Sequence, residues 1–107
     1  MDLSISTREI SGVCVVAIDG VADLASAPQL QSGLRRVITS AAGRTVVVDL
    51  DGLLGLDDVA LGILLGAAAA ARDLGGDLEV ATVSERWRNR FRATKFDLAV
   101  AVRDSVV

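Results

Sequence analysis

The chain has no histidine, no tyrosine and a single cysteine, Cys14, among its 107 residues. Without histidine, neither a His-based catalytic triad nor an ordinary zinc site can be assembled. A single cysteine excludes an internal disulfide, and the apolar neighbours of Cys14 in residues 13–16 favour a buried, inert thiol. The sequence therefore predicts a protein without catalytic residues, without a metal site and without a cofactor.

Aromatic residues are also scarce, at 3% of the chain, although hydrophobic residues make up 51%. A core must then be built from Val, Leu, Ile and Ala, and the length suits one domain, residues 1–107. The net charge of −3 argues against nucleic-acid binding, which needs a basic surface. No signal peptide is evident, and the longest apolar run, residues 59–71, is shorter than the ~20 residues that span a bilayer. We expect a cytoplasmic protein with no membrane or nucleic-acid partner.

Segments typical of strands and helices alternate along the chain. Residues 3–8 and 13–18 predict an antiparallel hairpin closed at Asp19–Gly20, and TVVVDL at 45–50 predicts a central parallel strand. Alternating β and α segments favour parallel pairing, so the fold class is α/β, with a mixed four- to five-stranded sheet and three helices. The remaining segments are helices at 26–38, from 57 to 74 and at 85–93, a strand at 77–83, and a weak strand or loop at 98–102.

Residues 53–71 form the most unusual stretch. Asp57 and Asp58 are typical of a helix start, because Asp caps orphaned N–H groups and its charge is favoured at the positive end of the helix dipole. The following run, residues 59–71, is apolar on every face, so its outer side is either covered or an exposed patch for a partner. Leu61, Leu64, Leu65 and Ala68 are expected to share one face of this helix.

Other local patterns carry narrower predictions. Ser26 is expected to cap the first helix, with Pro28 in its first turn. The G-x-x-x-G spacing at residues 62–66 favours close packing of helix on sheet. Trp87 and Phe91 are expected to dock the last helix on the core. Around them, a solvated basic face is expected from Arg86, Arg88, Arg90, Arg92 and Lys95.

Three stretches resemble the STAS domain of bacterial anti-sigma factor antagonists. GVADLASAP at 20–28 is similar to the family's G-E-L-D-x-x-x-A-P segment. VVVDLDGLLGLDDVALGILL at 46–65 is similar to V-x-D-L-S-G-V-x-x-x-D-S-S-G-L-G-x-L-L. The glycines at 75–76, followed by a strand and Ser84, resemble G-G-x-L-x-L-x-x-x-S-P-x-V. Together the stretches cover nearly the whole chain in the family's order, which implies a STAS-like fold.

The resemblance also implies a function. In this family the antagonist binds an anti-sigma factor that is also a serine kinase, which frees a sigma factor; phosphorylation of a serine in the D-S-S-G corner then releases the antagonist. Here Asp57 matches the family's Asp, and Asp58 stands at the phosphorylated serine. Val59 and Ala60 replace the second serine and the glycine. The implied activity is a non-enzymatic regulatory module that binds an anti-sigma factor/serine kinase by partner switching, independently of phosphorylation.

The same resemblance implies a contact surface at the start of the central helix and in the loop before the first helix. Asp58 is read either as a helix cap or as a partial mimic of phosphoserine, which carries more charge than a carboxylate. Two other functions stay open: a scaffold or oligomer subunit, and a nucleotide-like ligand bound at the basic helix. We expect a monomer or weak homodimer. The partner-binding residues are expected to be Asp23, Asp57, Asp58, Val59, Ala60, Leu61 and Ile63.

Overall fold

A computed structural model describes residues 2–106, in which an antiparallel hairpin is followed by alternating helices and strands. The strands are β1 (Ser4–Ile10), β2 (Val13–Ala22), β3 (Thr45–Asp49), β4 (Leu53–Leu56), β5 (Asp77–Ala81) and β6 (Val102–Arg103). The helices are α1 (Ala27–Ser40), α2 (Asp58–Asp73) and α3 (Glu85–Ala93), with a short 3₁₀ turn at Phe96–Leu98.

The strands form one mixed sheet in the order β1-β2-β3-β5-β6, with β4 paired to β2 beside this path. Only β1 runs antiparallel, and β3 lies between β2 and β5 as a parallel strand. The α/β class, the hairpin, the central parallel strand and the three helices are confirmed. Within residues 2–106 the sheet has six strands, however, rather than four or five.

The additional strand is β4, and it changes how β2 ends. Instead of closing at Asp19–Gly20, β2 shifts register after Gly20 and its last residues pair in parallel with β4. Gly20 has a φ of 99°, and a Cβ there would lie 2.0 Å from the Asp2 carbonyl oxygen, so glycine is required. The sequence did not predict β4, because a segment of four residues is too short to show the alternating pattern that identifies a strand. Because β2 and β4 run parallel, the loops that follow them meet at one edge of the sheet.

All three helices bury their apolar sides in one core against the sheet. Trp87 and Phe91 dock α3 as predicted, and the predicted shared face of Leu61, Leu64 and Ala68 is the buried one. Leu65 is instead 39% exposed, because it lies one position beyond the buried stripe of α2. The buried helix residues are Leu30, Leu34 and Ile38 of α1, Ala60, Leu61, Leu64, Ala68 and Ala71 of α2, and Trp87 and Phe91 of α3.

The prediction for the G-x-x-x-G spacing is wrong. A Cβ built on Gly62 or on Gly66 would meet no neighbouring atom within 4 Å, so neither glycine is needed for packing against the sheet. Both line a groove between α1 and α2. No helix in the described part of the chain is both long and apolar enough to cross a bilayer.

Candidate functional site

The loop after β2 and the start of α2 are joined by direct hydrogen bonds. The backbone N–H of Asp57 donates to the carbonyl of Ala22 at 3.0 Å, which ends the β2–β4 pairing. The backbone N–H of Leu24 donates to Oδ2 of Asp57 at 3.1 Å, across 33 positions of sequence. The two segments therefore form one surface, which we call the acidic corner: residues 23–26, Asp57, Asp58 and Val59.

Asp57 is the residue that holds this corner together. Its Oδ1 accepts the backbone N–H of Ala60 at 3.0 Å, which is the side-chain cap expected at a helix start. Its other oxygen accepts the N–H of Leu24, so one half-buried carboxylate fixes both the helix and the loop. A cap by the aspartate pair is confirmed for Asp57, whereas the reading of Asp58 as the cap is wrong, because Asp58 is the first residue of the helix. The two hydrogen bonds leave Asp57 little freedom to contact a partner.

Asp23 lies in the corner but its carboxylate turns to its own loop. Oδ1 of Asp23 accepts the backbone N–H of Ser26 at 3.0 Å and lies 3.2 Å from the Ser26 hydroxyl oxygen. Ser26 occupies the cap position of α1, and Pro28 lies in the first turn as predicted, but the predicted side-chain cap is absent. The Ser26 hydroxyl instead donates to the carbonyl of Val21 at 2.8 Å, so it fastens the loop to β2.

Asp58, unlike Asp57, is exposed and pairs with a side chain of another helix. Its side chain is 87% exposed, and Oδ1 lies 2.6 Å from Nη2 of Arg90 on α3. Nε of Arg90 is buried and has no hydrogen-bond partner among the described residues, so one edge of the guanidinium is enclosed while the other meets the carboxylate. Nothing in the sequence predicted this pair, because the two residues are 32 positions apart and belong to different helices.

The predicted solvated basic face is confirmed for Arg86, Arg92 and Lys95, which are exposed. Arg88 is instead paired with Asp104 and hydrogen-bonds the Thr82 carbonyl. Arg92 binds Asn89, and the guanidinium of Arg86 lies 4.5 Å from the centroid of the Trp87 ring. In residues 2–106 no group of three acidic, Cys or His side chains could hold a metal ion.

The expected contact residues divide between surface and core. Val59 is 41% exposed next to Asp58, and Ile63 is half-buried one turn further along. Ala60 and Leu61 are buried in the core, so the expectation that they lie on the contact surface is corrected: their positions on α2 face the sheet. Leu24 is 71% exposed and belongs to this surface, although the sequence did not predict it as a contact residue. Its position as a bulky apolar residue between Asp23 and the small residues 25–26 could have indicated an exposed loop.

The acidic corner continues into an apolar groove between α1 and α2. The groove begins at Val59 and Ile63, has a volume of about 360 Å³, and has Arg35 as its single charged lining residue among those described. Along α2 its floor is made of small side chains and of glycine. Its other lining residues are Gln31, Leu34, Ile38, Thr39, Gly62, Gly66, Ala67, Ala70 and Leu74.

Comparisons with known proteins agree on one family. A family model described as the STAS domain matches residues 4–107. An anti-sigma factor antagonist from Mycobacterium paratuberculosis is similar in structure, with a TM-score of 0.86 and 22% identity over 98% of this chain and 88% of that one. A STAS domain protein from Planctomyces limnophilus follows with a TM-score of 0.80 and 16% identity, covering 94% and 90%. The phosphorylated form of the Bacillus cell-fate determinant SpoIIAA gives 0.68 and 16%, covering 95% and 93%. No curated protein matches the chain by sequence.

Proposed function

Because the chain belongs to the STAS domain family, we propose that it acts as an anti-sigma factor antagonist, a non-enzymatic module that binds an anti-sigma factor with serine kinase activity. Two similar structures support this class of partner: one is an anti-sigma factor antagonist, and another is a STAS protein in a phosphorylated form. Both are distant in sequence, so the proposal depends on the surface that this chain offers.

The observation that carries the proposal is the double hydrogen bonding of Asp57. It holds the loop of Leu24 against the start of α2, where two apolar side chains, Leu24 and Val59, are exposed. Exposed apolar groups on a rigid support are what a protein partner can bury at low entropic cost. We propose Leu24, Asp58, Val59 and Ile63 as the contact surface, with Asp23 and Asp57 as the residues that position it.

Binding at this surface would be independent of phosphorylation. No serine or threonine occurs between Leu50 and Arg72, so a serine kinase has no acceptor at the start of α2. The one hydroxyl of the acidic corner, that of Ser26, donates to the carbonyl of Val21. The charge of Asp58 is offset by Arg90 at 2.6 Å and by the positive end of the α2 dipole. A phosphoserine would carry a charge of about −1.5 to −2, which one guanidinium would not offset. The partner then meets an Asp58 side chain whose charge is largely balanced, and binding is governed by the concentrations of the two proteins.

The contact surface is tested by calorimetry with each purified anti-sigma factor kinase encoded in the source genome. Val59→Arg and Leu24→Arg should each weaken binding by at least about tenfold, because a buried, unpaired charge is costly at an interface. Leu98→Arg is the control and should bind normally, because Leu98 lies far from the corner. It is 81% exposed and precedes Ala99, whose carbonyl accepts a hydrogen bond from Arg72 near the other end of α2. Normal binding by both Val59→Arg and Leu24→Arg would show that the interface lies elsewhere on the protein.

The phosphorylation claim is tested with the same kinases, ATP and mass spectrometry. The unaltered chain should gain no phosphate between residues 51 and 71, whereas Asp58→Ser should be phosphorylated at position 58 and then release the partner. Before phosphorylation, Asp58→Ser should bind within about tenfold of the original, or ~1.4 kcal/mol. A much larger gain would identify Asp58 as a standing brake. Phosphate on Ser84 of the unaltered chain would reveal another control site.

A further inference from the structure

A second cleft lies on the opposite side of α1 from the α1–α2 groove, between this helix and the β1–β2 hairpin. Its volume is about 490 Å³, within the roughly 300–1,000 Å³ range of small-molecule sites. Its walls are Ile5, Thr7 and Glu9 of β1, Cys14 of β2, Gln29, Ser32, Gly33, Arg36, Val37 and Ser40 of α1, and Ala41 and Arg44 after it.

The strand wall of this cleft follows from the pleat of the sheet. Ile5, Thr7 and Glu9 alternate along β1 and so point to the same side, toward α1. Gly33 lets the helix come close at one end, since a Cβ there would lie 2.6 Å from Cδ1 of Ile5. Ile5, Val37 and Cys14 pack against the core from this side, which gives the cleft an apolar floor.

The charged residues of the cleft are not equivalent. Arg44 is committed: Nη2 binds Glu9 at 2.6 Å and the carbonyl of Gly12 at 3.0 Å. Arg36, in contrast, has no hydrogen bond or ion pair with any residue of the described part of the chain, although it lines the same cleft. With Glu9 neutralised by Arg44, the cleft has one uncommitted positive charge above an apolar floor.

We infer that this cleft binds a small amphipathic carboxylate of the fatty-acid type. Its carboxylate would pair with the Arg36 guanidinium, whose planar fork matches a carboxylate in a two-bond geometry. Its hydrocarbon chain would lie over Ile5, Val37 and Cys14. The charges of the cleft favour an anion over an amine, because its one carboxylate, Glu9, is paired with Arg44 whereas Arg36 has no paired carboxylate. The site is separate from the acidic corner and does not depend on the proposed function.

Cys14 is only partly buried, rather than fully buried as the sequence suggested. It lines the cleft and is the only thiol in the chain, so its modification reports directly on occupancy. Octanoate should bind in calorimetry and should slow the modification of Cys14 by a thiol reagent in proportion to saturation. Octanol and octylamine, which have the same chain without the carboxylate, should bind at least about tenfold more weakly, as expected for loss of charged hydrogen bonds.

Neighbouring arginines of α1 supply a matched pair of variants. Arg36→Gln should weaken octanoate binding at least about tenfold and abolish the protection of Cys14 at the same octanoate concentration. Arg35→Gln removes the same charge one residue earlier, but it faces the α1–α2 groove and should leave both measurements unchanged. Equal binding of octanol and octanoate, equal behaviour of the two variants, or no protection of Cys14 would each overturn the inference.

Discussion

The inner and outer sides of α2 are both apolar, yet they have different surroundings. Leu64 is buried against the sheet, whereas the next residue, Leu65, is 39% exposed. At the start of the helix, Asp57 is fixed by two backbone N–H groups, whereas Asp58 is exposed and paired to Arg90. In a helix without a polar side, amino-acid type does not distinguish core from surface. Only the direction in which each side chain points decides its role.

The largest expected difference is between the two adjacent leucines. Leu64→Ala should lower the free energy of unfolding by about 2–5 kcal/mol, since it removes buried methyl groups and leaves a cavity. Leu65→Ala should change it by no more than about 0.5 kcal/mol, as usual for an exposed position. Urea unfolding of both variants measures the contrast. Equal losses would mean that the two sides of α2 are equally buried.

The two adjacent aspartates should differ next. Asp57→Ala should cost about 0.5–2 kcal/mol, because it removes the cap on Ala60 together with the tie to Leu24. Asp58→Ala removes an exposed ion pair and should cost less than about 1 kcal/mol. Chemical denaturation gives both values, and Asp57→Asn, which keeps a capping oxygen, serves as the control. The comparison fails if Asp58→Ala costs more than Asp57→Ala.

Replacing the glycines on the outer side of α2 by alanine should stabilise the protein. Gly62→Ala and Gly66→Ala should each raise the stability by roughly 0.5–1 kcal/mol, because alanine is the better helix former and its Cβ meets nothing there. Gly33→Ala on α1 is the matched opposite case, since its Cβ would lie 2.6 Å from Ile5. Thermal unfolding would show a rise for the first two variants. A fall in the melting temperature of both Gly62→Ala and Gly66→Ala would show that other atoms pack against these glycines.

The smallest effect should come from the link between α2 and α3. A double-mutant cycle with Asp58→Asn and Arg90→Gln should give a coupling of about 0.2–1 kcal/mol in favour of the pair at low salt, because Asp58 is mostly exposed. Near 1 M salt, where screening acts over about 3 Å, the coupling should shrink. Urea unfolding at both salt concentrations measures it. Coupling that is unchanged by salt would place the pair in a buried setting.

Local chemistry by itself determined several elements correctly. The cap at Ser84 and the following basic segment predicted α3 to the residue, and the Asp57 cap predicted where α2 begins. The β-branched run at 45–50 predicted a central parallel strand, and β3 occupies that place. Each of these signals lies within a few residues of the feature it predicts, because caps and strand propensities act through nearby backbone groups.

Tertiary structure alone decided the composition of the candidate sites. The strand β4 pairs with the end of β2, where the register shifts after Gly20, and a four-residue segment has no period of its own. The pairing of Asp58 with Arg90, the exposure of Leu24 beside Asp57, and the cleft that leaves Arg36 free all join positions that are distant in sequence. The amino-acid sequence determined which local elements form and which family they resemble. The packing of those elements decided which side chains meet, because contacts between distant residues depend on the relative placement of elements that no local pattern encodes.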